Sequence, residues 1–191
     1  MGRWQPGAQE RLQQAALELF AEQGFEQTSV AGIAERAGVT ERTFFRHYAD
    51  KREVLFAGQA EFQQPFLDAI VTAPASTSPL DLVTAALEAA CTAFEQRRTR
   101  EQARARQVVI DAHPGLRERE LLKLAALSDA MAGALNGRGV APLPARLAAE
   151  LAVNVFVAAF GLWLGAGEHR DLVALQRLAL EQLRAVAQGS H

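Results

Sequence analysis

The stretch TSVAGIAERAGVTERTFFRHYADK, from Thr28 to Lys51, constrains the fold more than any other part of the chain. Val30, Ile33, Ala34 and Ala37 recur at i, i+3, i+4 and i+7, which predicts a short helix with one apolar face. Gly38 supplies the left-handed stop that a helix end favours, Val39 gives the turn an inward anchor, and Thr40 is an N-cap for a second helix. That second helix, Glu41 to Tyr48, carries Phe44 and Tyr48 four residues apart for burial. Thr40, Arg42, Thr43, Arg46 and His47 are left to face outward. Two readings fit this spacing. A short polar helix held by its back against another is how a helix-turn-helix offers side chains to the major groove. An αα-hairpin with a solvated basic face has the same spacing.

The 191 residues make one large domain or two small ones, and 49% apolar content can build a substantial core. A single cysteine, Cys91, excludes a disulfide framework or a cysteine metal cluster within one chain and suits a reducing cytoplasm. Met1 to Gly7 is polar, with no signal pattern, and Arg3 there could reach a minor groove. The longest apolar run, Leu151 to Gly167, is interrupted by Asn154 and reads as too short for a membrane span, so no membrane partner is expected. Gly189-Ser190-His191 resembles the remnant of a purification tag. Four histidines (His47, His113, His169, His191) and the cysteine are scattered, with no HExxH, GxSxG or phosphate loop. No catalytic residue, cofactor or metal site is therefore expected.

The net charge of −2 does not advertise nucleic-acid binding, and residues 1–56 hold seven Lys and Arg against eight Asp and Glu. The position of the charge has to carry the argument. Arg36, Arg42, Arg46, His47, Lys51 and Arg52 crowd one prospective DNA side, whereas Glu10, Glu18, Glu22 and Glu26 lie on or just after the first helix. So few cations predict modest non-specific affinity and a shallow salt dependence.

Helical periodicity runs through the rest of the chain, and the fold class read from it is all-α. A first helix spans about Ala8 to Gln23, with Leu12, Ala15, Ala16, Leu19 and Phe20 in one stripe and Gly24 as its stop. Asp50 caps a further helix, with Glu53 at capping-box spacing; Lys51 and Arg52 in its first turn conflict with the helix dipole, a conflict that nearby phosphate would relieve. That helix is expected to reach about Gln64, where Pro65 kinks or ends it. Thr72 to Pro79 is a boundary. Helices over about Leu80–Gln96, Arg97–Asp111, Leu116–Asn136, Ala145–Gly165 and Asp171–Ala187 follow, about nine in all. The last two hold more apolar surface than one small bundle needs. Leu147, Leu151, Val155, Ala158 and Leu162, with Leu175, Leu178 and Leu183, are the candidate seam of a homodimer. The other reading of these residues is an ordinary intramolecular core.

Thr28-Ser29-Val30-x-x-Ile33-Ala34, followed by Gly38-Val39-Thr40-x-x-Thr43-Phe44-Phe45-x-His47-Tyr48-x-x-Lys51, resembles the N-terminal signature of the TetR family of transcriptional regulators. The resemblance is ungapped over roughly residues 8 to 56. It implies a helix-turn-helix domain over residues 1–56 and a ligand-binding and dimerisation domain over 57–188. It also implies a homodimer on double-stranded DNA at a palindromic operator. Thr28 or Ser29, His47 and Lys51 would contact phosphates, while Thr40, Arg42, Thr43, Phe45 and Arg46 would lie in or beside the major groove. Two departures matter: Phe45 stands where the family most often has Tyr, and Tyr48 where Phe is usual. The middle helices would enclose an inducer pocket, with Cys91, Phe94, Val108, Ile110, His113, Met131, Phe156, Phe160 and Trp163 as candidate lining. Asn154 is read first as a hydrogen bond across the dimer seam and second as a ligand contact. The C-terminal half also looks similar to an actinobacterial-type branch of the family, some of whose members are thought to sense acyl-CoA or related lipophilic molecules. The rival reading is a small-molecule-binding helical protein that never touches DNA.

Overall fold

The computed structural model describes residues 7–189, so Arg3, Ser190 and His191 lie outside the described residues. Ten helices and no strand occur among them: α1 (Ala8–Gln23), α2 (Val30–Arg36), α3 (Glu41–His47), α4 (Lys51–Leu55), α5 (Gln59–Thr72), α6 (Pro79–Arg97), α7 (Arg100–Asp111), α8 (Pro114–Gly137), α9 (Pro142–Trp163) and α10 (Leu172–Ala187). The expected helix from Asp50 to Gln64 is two helices. Phe56 closes α4, and Gly58, at φ +80°, turns the chain into α5. Two compact units result. The first takes residues up to Gly58 together with Arg104–Glu120; the second takes Gln59–Ala103 and the chain from Leu121 onward.

In the first unit, Leu12, Ala16, Ile33, Phe44 and Tyr48 form a closed apolar core with Val54, Leu55 and Phe56. The turn between α2 and α3 is a Schellman closure. Gly38 sits at φ +65°, its N–H donates to Glu35 O at 3.0 Å, and Val39 N–H donates to Ala34 O at 2.9 Å. The Ser29 and Thr40 hydroxyls each cap the helix that follows, accepting from Gly32 N and Thr43 N. Asp50 caps α4 by accepting from Arg52 N (2.8 Å) and Glu53 N (3.1 Å).

The dipole conflict at the start of α4 is resolved inside the protein. The Lys51 ammonium turns back to the loop after α1 and donates to Phe25 O (2.7 Å), Glu26 O (3.1 Å) and Thr28 O (2.9 Å), with the Phe25 ring 4.5 Å away. Arg52 pairs with Asp50 at 2.9 Å. Partial burial works against the Asp50 charge, but Arg52 and the two capping N–H groups outweigh it and hold the carboxyl below its ordinary value.

The segment Arg104–Glu120 belongs to this unit for packing reasons that periodicity could not reveal. Val109, Ile110 and Leu116 complete its core. Arg106 lies 5.2 Å from the Phe56 ring, donates to Leu55 O at the end of α4 (2.7 Å) and pairs with Glu120 (3.0 Å). Burial pulls the Arg106 guanidinium below its ordinary value, and Glu120 offsets part of that. Arg119 pairs with Glu53, and the His113 ring packs 5.0 Å from Phe25.

The second unit packs α5 on α6, and α10 on both α6 and α9. Pro65 lies inside α5 without ending it. Proline has no N–H for the carbonyl four residues back, which here is Glu61 O. Arg97 of α6 supplies the missing donor at 2.7 Å. Cys91 is fully buried, and burial, followed by the charges of Glu95 and Glu88, pushes its thiol up to about 12. The reading of 151–167 as too short for a membrane span is corrected by the helix start at Pro142, because α9 is long and apolar enough to cross one by length and composition. Its inward side, from Ala145 through Ala152 and Phe156 to Trp163, is packed in the unit's core.

Two substitutions test this account of the first unit, each by chemical denaturation. Gly38→Ala meets no neighbouring atom within 4 Å but must adopt φ +65°, and should cost about 1–2 kcal/mol. Lys51→Met keeps the stem and removes three charge-assisted bonds, and should cost about 2–3 kcal/mol.

Candidate nucleic-acid interface and ligand site

The outward side of α3 is set by what its inward side buries. Phe44 has no exposed surface and Tyr48 is buried beside it, their rings 5.5 Å apart. The Tyr48 hydroxyl finds partners on α1, accepting from Gln13 Nε2 (3.3 Å) and donating to Gln9 O (3.4 Å). The opposite side then carries Arg42, Phe45, Arg46 and His47, all exposed. Phe45 is 55% exposed, with its ring edge-on to Phe44 at 5.5 Å. Thr40 and Thr43 share a hydroxyl–hydroxyl contact of 3.1 Å at the start of the helix. Among the described residues Arg42 and Arg46 enter no ion pair.

The other cations expected on this side are already engaged. Arg36 donates to Glu22 through both terminal nitrogens (3.0 and 2.8 Å) and also reaches Glu18. The hydrogen bond and charge of Glu22 raise the Arg36 pKa, and Arg36 lowers that of Glu22. Lys51, expected at a phosphate, directs its donors at three carbonyls in this structure. Of the two hydroxyls expected there, Thr28 is 2% exposed and donates to Gly24 O at 2.8 Å. Ser29 is left as the hydroxyl at the head of α2.

In the second unit, aromatic rings converge from α5, α6 and α9. Phe62 meets Phe94 (6.2 Å) and Phe156 (5.3 Å), Phe156 stacks on Phe160 (5.7 Å), and Phe160 stacks on Trp163 (5.8 Å). Cys91 and Met131 are buried in the same core. Three of the expected lining residues are elsewhere. Val108 is exposed on α7, while Ile110 and His113 pack within the first unit because α7 turns into α8 there. Asn154 is exposed on α9. The sequence reading missed Phe62 and Phe66, and it missed Gln176, which sits at a core position of α10 between Leu172 and Leu180. A glutamine in register with a leucine stripe was the available signal.

The expected dimer seam divides. Leu147 and Leu162 are exposed, as are Leu143, Asn154, Val157 and Ala158 on the same helix. Val155 and Leu175 are buried inside the unit and present no surface, which corrects their placement at an interface. Leu151, Leu178 and Leu183 are half-buried.

The family described as "Bacterial regulatory proteins, tetR family" matches residues 12–57. The "HTH-type transcriptional regulator TcmR" of Streptomyces glaucescens is 42% identical over 80 residues, 42% of this chain and 35% of that protein. The matched part of the chain thus spans about a third of that relative's length. FadR of Bacillus subtilis in complex with stearoyl-CoA aligns with a TM-score of 0.62 at 21% identity, covering 91% of this chain and 96% of that one. The SmeT–triclosan complex gives a TM-score of 0.61 at 22% identity, covering 94% and 90%. SmeT is described as the repressor of the Stenotrophomonas maltophilia multidrug efflux pump SmeDEF. At these identities the two structures show the fold, a helix-turn-helix domain followed by a helical bundle. Residues 12–57 thus match the helix-turn-helix domain of the TetR family, and beyond them the chain shares the helical fold of the two solved structures.

Proposed function

We propose that the protein is a cytoplasmic, ligand-responsive repressor that binds a palindromic operator as a homodimer and is released by a small lipophilic molecule. The observation that carries this reading is α3, anchored through Phe44 and Tyr48 while Arg42 and Arg46 stay exposed and unpaired among the described residues. In this reading Arg42 pairs bidentately with guanine, and Arg46, His47 and Ser29 meet phosphates. Thr40 and Thr43 sit at the groove edge, and Phe45, lacking a hydroxyl, packs on a thymine methyl or a sugar. The exposed apolar side of α9, including Leu143, Leu147, Val157 and Leu162, is the surface a second copy covers. Two α3 helices about 34–36 Å apart then read successive half-sites.

The aromatic core of the second unit supports effector binding in that unit, and the stearoyl-CoA and triclosan complexes of structural neighbours favour a lipophilic effector. Effector binding stabilises a dimer whose reading helices no longer match the groove spacing. Switching from mostly bound to mostly released needs a differential affinity of about 10⁴.

Fluorescence anisotropy against the DNA beside the protein's own gene tests the reading. Arg42→Ala should weaken operator binding by about 5- to 150-fold, the equivalent of roughly 1–3 kcal/mol, while leaving the helical content unchanged. Equal affinity would remove Arg42 from the interface, and no operator binding by the parent protein would favour a ligand-binding protein that never touches DNA. With Arg36, Lys51 and Arg52 engaged internally, about four phosphates are neutralised per dimer, so log K should fall against log salt with a slope of about −4. A slope near −9 would mean that those cations leave their partners for DNA.

A further inference from the structure

Gln176 is fully buried on α10, and neither its Oε1 nor its Nε2 has a hydrogen-bond partner. It shares its helix side with Leu172, Leu175 and Leu180, all buried in the core of the second unit. A leucine there would continue the apolar stripe at no polar cost. An unsatisfied buried carboxamide is destabilising, and it calls for a partner that the folded chain itself does not provide. Trp163 gives a second signal, because its Nε1–H is buried without a partner as well.

Helices α9 and α10 pack on each other and are joined by the short segment 164–171. We infer from that short connection an antiparallel pair, in which Gln176, one turn into α10, is level with Ala159 and Phe160, one turn back from Trp163. Ala159 is small and fully buried, and Phe160 and Trp163 stack. One ionised group, Arg100, borders this region, and its donors are committed to backbone carbonyls. The buried polar residues of the unit, among those described, are Ser128 and Gln176, both neutral. Arg100 lies 5.1 Å from the Trp163 ring, but it donates to Glu168 O and to Arg170 O in the α9–α10 turn, which ties it to the backbone.

We propose that Gln176 is the polar recognition point of the effector site. It receives a neutral, planar, ring-bearing molecule that presents a hydrogen-bond donor beside an acceptor, as an amide or lactam does. This rests on the reading of the protein as ligand-responsive and specifies the ligand's chemistry. A carboxamide offers one acceptor and two donors, and another amide matches it at two points at once. The ring body stacks against Phe160 and Trp163, where aromatic faces prefer a planar partner. Neighbouring rings already touch at 5.3–6.2 Å, so the ligand enters by parting them rather than by filling an existing void.

The test titrates the full-length protein with 2-naphthamide, with 2-acetonaphthone (same ring, acceptor only) and with lauroyl-CoA, following heat and tryptophan fluorescence. The parent protein should bind 2-naphthamide at least about tenfold more tightly than 2-acetonaphthone, as expected when one hydrogen bond to a buried polar group is lost. Gln176→Leu should erase that preference while raising the melting temperature of the unliganded protein, and Gln176→Met should do the same should the leucine variant fail to fold. The proposal is overturned by an absent preference in the parent protein, by a preference that survives in the variant, by a lowered melting temperature, or by tighter binding of lauroyl-CoA than of 2-naphthamide. Operator binding is measured on the same samples. If neither parent nor variant binds DNA, the regulator reading fails while the ligand result stands by itself.

Discussion

The burial of Phe44 and Tyr48 against α1 is the interaction on which the rest depends. A helix of seven residues is too short to hold its own shape in water, so α3 exists because its back is packed. Phe44 supplies the apolar contact, and Tyr48 adds direction through its hydroxyl bonds to Gln9 and Gln13. Once those two are in place, the 3.6-residue period leaves Arg42, Phe45 and Arg46 no direction except outward. The exposed set on one side of α3 is thus a consequence of packing on the other. The departure of Tyr48 from the usual phenylalanine of the family becomes a second tie between α3 and α1.

A chain of net charge −2 can still present a usable positive surface, because most cations near the reading helix are consumed internally. Glu22 and Glu18 hold Arg36, Asp50 holds Arg52, and three carbonyls hold Lys51. What is left exposed is a small set on α3. Under the proposed function, such a head relies on base contacts and on a second copy for affinity more than on bulk electrostatic attraction.

Much of the fold was legible because its elements end where local chemistry ends them. The Gly38 stop, the Thr40 and Asp50 caps and the core side of α1 all follow from residues within one helical turn of each other. The errors fall where the deciding partner is distant in sequence. Pro65 reads as a helix breaker until Arg97, on another helix, supplies the donor that proline lacks. Ile110 and His113 read as lining for a pocket, yet they pack in the first unit because α7 turns into α8 there and Arg106 reaches back to Leu55. Lys51 reads as a phosphate ligand because its three carbonyl partners belong to a loop more than twenty residues away. The candidate interface on α3 was therefore more legible than the candidate effector site, which draws on α5, α6, α9 and α10 together.

Around α3 the buried polar groups are matched within the chain, as in the Thr28 hydroxyl on Gly24 O, which suits a rigid reading surface. The core of the second unit keeps Gln176 and the Trp163 N–H unmatched, which suits a region that changes on binding. The most direct test of the central claim is amide hydrogen exchange with and without operator DNA. The account predicts that the amides of Phe44 to Tyr48 are already slow in the unbound protein, and that added protection concentrates over residues 28–48. Fast exchange across α3 before DNA is added, or protection that bypasses residues 40–47, would contradict it.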